Sequence, residues 1–147
     1  MKLYLGSDHG GYELKNALRE HLFHLGYEVE DLGAKTLDSD DDYPRYAYAV
    51  AVKVLGADED LGILICGSGQ GMSMAANRVN GIRAALAWNP ESAAAGRRDD
   101  NSNVLVLPSR FLSEDEAFAT VDSWLKTAFA SDPKYQRRLD ELEELYG

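Results

Sequence analysis

The sequence predicts an α/β fold: three α/β/α layers around a doubly wound, five-stranded parallel sheet of the Rossmann-like kind, with an extra C-terminal helix. Three observations carry this. Short apolar runs alternate with longer amphipathic ones along the whole chain. The runs are bounded by glycine or polar breaks, as strands buried on both faces should be. One of them leads through a glycine-rich loop directly into a helix, the unit from which parallel sheets are built.

In order, Leu3–Gly6 is the first strand candidate. Leu14, Leu18, Leu22 and Leu25 follow at helical spacing and stop at Gly26. Glu28–Asp31 is the second strand, and an alanine- and valine-rich helix runs from about Pro44 to Leu55. Gly62–Cys66 is the third strand. The third helix starts in the glycine segment and ends near Asn80-Gly81, before a fourth strand at Ala84–Ala87. Asn89 as N-cap with Pro90 at the first helical position opens the fourth helix. Val104–Leu107 completes the sheet. Ser113-Glu114-Asp115-Glu116 is a capping box for a fifth helix that turns Val121, Leu125, Ala128 and Phe129 inward. The last helix starts near Asp132-Pro133 with Tyr135, Leu139, Leu142 and Tyr146 on one stripe. The sheet is complete without it, so residues 1–147 read as one domain whose residues 131–147 form an arm suited to packing on a second subunit.

The 147 residues carry a formal charge of −10, with 45% apolar and 27% charged residues, an ordinary globular balance. Such a chain is a poor non-specific ligand for nucleic acid or anionic membrane. Cys66 is the one cysteine, which excludes an intramolecular disulfide and any multi-cysteine metal site. The apolar opening is too short for a signal peptide and no run reaches transmembrane length, so a cytoplasmic location is expected. The charge is uneven. Residues 1–60 hold 6 basic and 13 acidic groups and residues 111–147 hold 4 and 9, whereas residues 61–110 hold 5 arginines and 3 acids, net +2.

Ligands of doubly wound sheets sit beyond the carboxyl ends of the strands. Four loops qualify: Ser7–Gly11, Gly33–Tyr43, Gly67–Gly71 and Pro108–Arg110. In Cys66-Gly67-Ser68-Gly69-Gln70-Gly71, glycine at every second position frees successive N–H groups to converge, and a helix N-terminus follows. Such a nest binds a phosphate or a developing oxyanion; a tight turn without a ligand is the plainer alternative. A Walker A loop would need a lysine, and the dinucleotide fingerprint would need glycine where Met72 stands. Cys66 beside the nest is expected to have its pKa lowered from about 8.5, suiting nucleophilic attack or proton abstraction next to a carbonyl. The plainer alternative is a small buried hydrophobe.

Asp8 and His9 could orient hydroxyls or a phosphate, while Ser7 or Asp8 could simply cap a helix. His21 and His24 have no third ligand and do not suggest a metal. Asp38-Ser39-Asp40-Asp41-Asp42-Tyr43 lacks the glycine and glutamate of a calcium loop and reads as a solvated acidic loop, with Tyr43-Pro44 turning into the site. Arg97 and Arg98 suit a helix C-terminus.

Gly6-Ser7-Asp8-His9-Gly10-Gly11-Tyr12-Glu13-Leu14-Lys15 resembles the opening of the type B ribose-5-phosphate isomerase family, which includes galactose-6-phosphate isomerase subunits. Asp42-Tyr43-Pro44, Gly62 to Gly69, Ala75-Ala76-Asn77-Arg78, Gly81-Ile82-Arg83-Ala84, Asn103-Val104-Leu105, Ser109-Arg110 and Gln136-Arg137-Arg138 match in order and spacing. The resemblance covers nearly the whole chain.

It implies aldose–ketose isomerisation of a sugar phosphate through a cis-enediolate, without metal or cofactor, most directly ribose 5-phosphate to ribulose 5-phosphate. Cys66 matches the family's base, and in its other branch a glutamate serves at the position of Met72. Gly67, Ser68, Gly69, Gln70 and Gly71 would form the anion hole, and Asp8, His9 and Tyr43 would meet the substrate. Arg110, Lys134 and Arg138 match the phosphate-binding positions. The family forms dimers with sites drawn from two subunits, so a homodimer is expected here, and whether dimers pair further into a tetramer is left open by the sequence. Two departures stand out. The histidine that opens the sugar ring is replaced by Asp99, with Asp100 for the neighbouring asparagine; near the C-terminus Tyr135 stands for a histidine and Lys134 for an arginine. A carboxylate is a weaker acid catalyst near neutrality. The same chemistry on a tetrose or hexose phosphate, or a non-catalytic sugar-phosphate-binding subunit, are the alternatives.

Overall fold

A computed structural model describes residues 1–147. Five parallel strands, β1 (Leu3–Ser7), β2 (Val29–Asp31), β3 (Leu61–Cys66), β4 (Ala84–Leu86) and β5 (Val104–Pro108), alternate with five helices, α1 (Tyr12–His24), α2 (Tyr43–Val54), α3 (Gln70–Ala76), α4 (Pro90–Asp100) and α5 (Glu114–Lys126), and α6 (Pro133–Tyr146) closes the chain. The sheet order is β2-β1-β3-β5-β4. The three central strands are buried along their whole length, and the two three-residue edge strands are half-buried. Period-two alternation divides the strand side chains between two cores. Leu3, Leu5, Ile63, Ile65, Leu105 and Leu107 face α1, α4 and α5. Tyr4, Leu64, Cys66, Val104 and Val106 face α2 and α3. No helix is long and apolar enough to cross a membrane.

The helix starts follow the capping chemistry read from the sequence: Asn89 with Ser92, and Ser113 with Glu116, form reciprocal capping boxes. Two ends differ from expectation. The third helix stops at Ala76 rather than near Gly81. The Asn77 side chain accepts the Ala84 N–H (2.8 Å) and donates to the Ala84 carbonyl (3.0 Å), pulling the chain out of the helix to shield the edge of β4. The fifth stops at Lys126, leaving Ala128 exposed and Phe129 half-buried. Its anchor is instead Trp124, fully buried, with Nε1–H donating to Ser102 Oγ at 2.9 Å and the Arg97 guanidinium over its ring.

On α1, Leu18 and Leu22 are buried, and Leu25, past the helix end, is exposed. Lys15 is buried beside them because its Nζ donates to Asp31 Oδ2 (2.6 Å) and the Ala34 carbonyl (2.8 Å), tying α1 to the loop after β2. Helix α6 has no buried residue, and Leu142, Leu145 and Tyr146 are exposed along it.

Candidate active site

Strand β1 sends its crossover one way, to β2, while β3 lies on its other side, so the topological switch point falls between them. Because β5 inserts between β3 and β4, the carboxyl ends of β1, β3 and β5 stand in a row. The four loops picked out by sequence meet there. Ser109 Oγ donates to the Gly10 carbonyl (2.6 Å), and the Arg110 N–H donates to the Gly67 carbonyl (3.0 Å). The His9 N–H donates to Asp41 Oδ1 (3.0 Å), and the Tyr43 ring lies against Gly71. A Cβ at position 67 would sit 2.8–2.9 Å from the Arg110 guanidinium, so only glycine lets that cation lie over the loop. Gly69, with φ +77°, supplies the left-handed turn into α3. Ser68 Oγ accepts the Gln70 N–H at 3.3 Å and steadies the same turn.

Cys66 ends β3, its side chain on the α2/α3 face and 5% exposed. Burial pushes its thiol up, and the backbone N–H groups of Met72 and Gly69, which face the sulfur, only partly offset that. The expected depression of the Cys66 pKa is therefore corrected: desolvation at the foot of the crevice outweighs the nest. The same N–H groups place position 72 against the sulfur.

At the end of β1, Asp8 is buried and its Oδ1 accepts the Gly10 N–H (2.9 Å). Burial raises its pKa, against the opposing pull of His9. Next to it, His9 Nδ1 lies 2.7 Å from Asp41 Oδ1, and the Tyr46 hydroxyl donates to Asp41 Oδ2 (3.2 Å). The Asp41 side chain is 4% exposed, so this part of the acidic loop is not solvated as the sequence suggested. The Asp41 hydrogen bond raises the His9 pKa; burial would raise that of Asp41, but His9 and Tyr46 outweigh it and hold it down. Asp8, His9 and Asp41 bring one donor atom each within 4.8 Å, but Asp8 Oδ1 is committed to Gly10 and Asp41 Oδ1 to His9, so the cluster reads as an ion pair beside a capping carboxylate.

The remaining predicted residues lie elsewhere. Helix α4 runs back from the carboxyl end of β4 to the amino end of β5, as any crossover between parallel neighbours must. Its last residues, Asp99 and Asp100, are therefore at the opposite end of the sheet from Cys66, next to the Asn101–Asn103 turn that binds Arg83 ahead of β4. Arg98 grips Asp99 with both Nε (2.8 Å) and Nη2 (3.3 Å) and holds its carboxyl below the usual carboxylate range, helped by Tyr135 and Lys134. Lys134 and Arg138 stand 5.1 and 5.9 Å from the Tyr135 ring centre. Asp100 lines a groove of about 330 Å³ with Arg83, Gly96, Leu139 and Leu142, between α6 and the β4 edge. That groove holds none of the Cys66 cluster, and the reactive groups converge instead at the crevice over Cys66, which we take as the site. Within one chain, Asp8, His9, Tyr43, Cys66, Gly67–Gly71 and Arg110 form one cluster; Asp99, Lys134 and Arg138 form another. His21 pairs with Asp122 across α1 and α5 at 2.9 Å.

The sequence model of a family described as Ribose/Galactose Isomerase matches residues 3–142. A probable ribose-5-phosphate isomerase B of Mycoplasma genitalium is 46% identical over 95% of this chain and 92% of its own. Ribose-5-phosphate isomerase B of Mycobacterium tuberculosis is 42% identical over 98% and 89%. Among solved structures, the Mycoplasma genitalium isomerase with bound ribulose-5-phosphate superimposes with a TM-score of 0.94 at 44% identity, covering 98% of this chain and 95% of that one. The Thermotoga maritima ribose 5-phosphate isomerase gives 0.93 at 43%, covering 97% of each.

Proposed function

The chain belongs to the ribose/galactose isomerase family, and from that premise we propose that it interconverts ribose 5-phosphate and ribulose 5-phosphate with Cys66 as base. The observation that carries the reading is the convergence of Cys66, the Gly67–Gly71 loop and Arg110 at the switch point. It occurs in a chain 44% identical to a protein crystallised with ribulose-5-phosphate.

In the open-chain aldose, the Cys66 thiolate takes the proton from C2. The electron pair moves into a C1–C2 double bond, and the carbonyl oxygen on C1 becomes the oxyanion of a cis-enediolate. Backbone N–H groups of the Gly67–Gly71 loop that Cys66 and Ser68 do not engage stabilise that charge, being preorganised and partly desolvated. The thiol returns the proton to C1 while the C2 hydroxyl passes its own to the oxyanion on C1, giving the ketose. Asp8, His9 and Tyr43 hold the sugar, and Arg110 holds the phosphate. The buried thiol is a strong base once ionised, which suits abstraction of a weakly acidic C–H.

Asp99, Asp100, Lys134 and Arg138 lie too far round the sheet to serve the Cys66 of their own chain, so they serve that of a second copy. The open crevice and the exposed stripe on α6 support this, since two-fold pairing would lay one copy's arm over the other's site. A cytoplasmic location, where sugar phosphates are held, fits the reading.

Asp99, held ionised by Arg98, acts in ring opening only as an acceptor for the anomeric hydroxyl proton, and weakly. That observation favours a second reading, the same isomerisation of a tetrose 4-phosphate, whose phosphorylated C4 oxygen cannot close a ring. Comparing kcat/KM for ribose 5-phosphate and a tetrose 4-phosphate decides between them. A higher value for the pentose supports the first reading, a higher value for the tetrose the second, and turnover of neither overturns both.

A further inference from the structure

The acidic loop before α2 holds a side chain that the isomerisation scheme does not use. Asp41 is nearly inaccessible, while the imidazole it touches is 41% exposed. Its Oδ1 receives the His9 backbone N–H at 3.0 Å and lies 2.7 Å from Nδ1; its Oδ2 receives the Tyr46 hydroxyl at 3.2 Å. Tyr46 is in turn packed against the α2/α3 core and Gly33. A carboxylate pinned at both oxygens and aimed at one ring nitrogen is a rigid second support rather than a solvated charge.

We propose that Asp41 is a positioning residue for His9. It accepts the Nδ1–H hydrogen bond, fixes the ring, and by its charge favours the imidazolium, whose Nε2–H is offered to the anionic substrate. The proposal rests on the reading that His9 meets a sugar phosphate at this crevice. With Nδ1 committed to Asp41, Nε2 makes no hydrogen bond within the chain, and a protonated ring can only donate there. A histidine with an ordinary pKa of about 6.5 would be mostly neutral in the cell and, with Nδ1–H given to Asp41, would turn the Nε2 lone pair toward the anionic substrate. Asp8 and Asp38 add to the field that favours the cation, Tyr46 faces Asp41 from α2, and Cys66 and Arg110 border the same crevice from β3 and β5. Arg110 opposes the charge on His9, so Asp41 lets two cations border one crevice.

The test follows the His9 imidazole by NMR titration and the Kd of ribose 5-phosphate from pH 5.5 to 8.5, using Cys66→Ala as background so that the ligand is not consumed. Asp41→Asn keeps an acceptor for the His9 N–H and removes the charge. It should lower the His9 pKa and weaken binding several-fold at pH 7.5, with the two proteins converging toward the acid end of the range. Titration of the phosphate itself affects both alike and cancels in the ratio. With Cys66 restored, KM should rise more than kcat falls. Asp41→Glu keeps the charge and should keep the raised pKa, which also covers the case of an unfolded Asp41→Asn. An unchanged His9 pKa, or a loss of affinity equal at every pH, overturns the proposal. If the parent protein binds no sugar phosphate at all, the isomerase reading fails, and the titration still decides whether Asp41 controls His9.

Discussion

Replacing Gly67 by alanine isolates the phosphate anchor from the rest of the fold. The new methyl would lie 2.8 Å from Arg110 Nε and 2.9 Å from Cζ and Nη2, closer than real contacts allow. The obstacle is the free end of a flexible side chain, so the guanidinium swings aside and the backbone stays, with a stability change within about 1 kcal/mol. What is lost is a charge-assisted hydrogen-bonded contact to phosphate, worth about 1.5–3 kcal/mol. At 1.4 kcal/mol per decade, KM for ribose 5-phosphate should rise roughly 10- to 150-fold, with kcat much less affected because Cys66 and the N–H groups remain. Steady-state kinetics on Gly67→Ala, Arg110→Ala and the double variant provide the assay. If Arg110 is the only casualty, the double variant should be no worse than Arg110→Ala alone. An unchanged KM in Gly67→Ala, or losses that multiply in the double variant, would refute the placement of Arg110 over the loop as the phosphate anchor.

The other predictions concern the base and the division of the site. Burial raises the Cys66 pKa, and only the thiolate is active, so kcat/KM should climb with pH through and beyond the ordinary thiol value of about 8.5. A plateau reached by pH 7 would mean that another group is the base. Mixing inactive Cys66→Ala with inactive Arg138→Ala should restore activity if sites are shared, because half of the dimers formed at random are mixed and each has one intact site. The expected recovery is about a quarter of the parent activity; none would confine each site to one chain.

The reading of the sequence succeeded where local chemistry decides structure. Gly62–Cys66 was recognisable as a doubly buried strand because nothing in it suits water, and the N-cap Asn89 with Pro90 and the capping box at Ser113 marked α4 and α5 through residues that serve their own turns. It ran short where partners are distant in sequence. Asp41 looked like its neighbours Asp38, Asp40 and Asp42. Only the fold brings Tyr46 and His9 to its two oxygens, although the helix start at Tyr43-Pro44 hinted that the loop must end at the site. Lys15 was hidden because its partners, Asp31 and Ala34, lie across β2, and Trp124 because its hydrogen bond goes to Ser102. The Cys66 pKa was misjudged by weighing the nest without the desolvation that burial imposes. The split between the Cys66 cluster and the Asp99 cluster was within reach: Asp99 and Asp100 precede a strand of a parallel sheet, and segments before strands lie at the amino end.

That split also locates the basic stretch. Of the five arginines in residues 61–110, Arg110 reaches the crevice. Arg98 neutralises Asp99, Arg83 and Arg97 brace the amino end of the sheet around Asn101 and Ser102, and Arg78 follows α3.

The most direct test of Cys66 as the base is isotope exchange. Ribose 5-phosphate incubated with the protein in deuterated water should acquire deuterium at C2 and yield ribulose 5-phosphate labelled at C1, both by NMR. Cys66→Ala should bind the sugar with near-normal Kd and show neither label nor product. Deuterium at C2 in the Cys66→Ala protein at the parent rate would contradict the account.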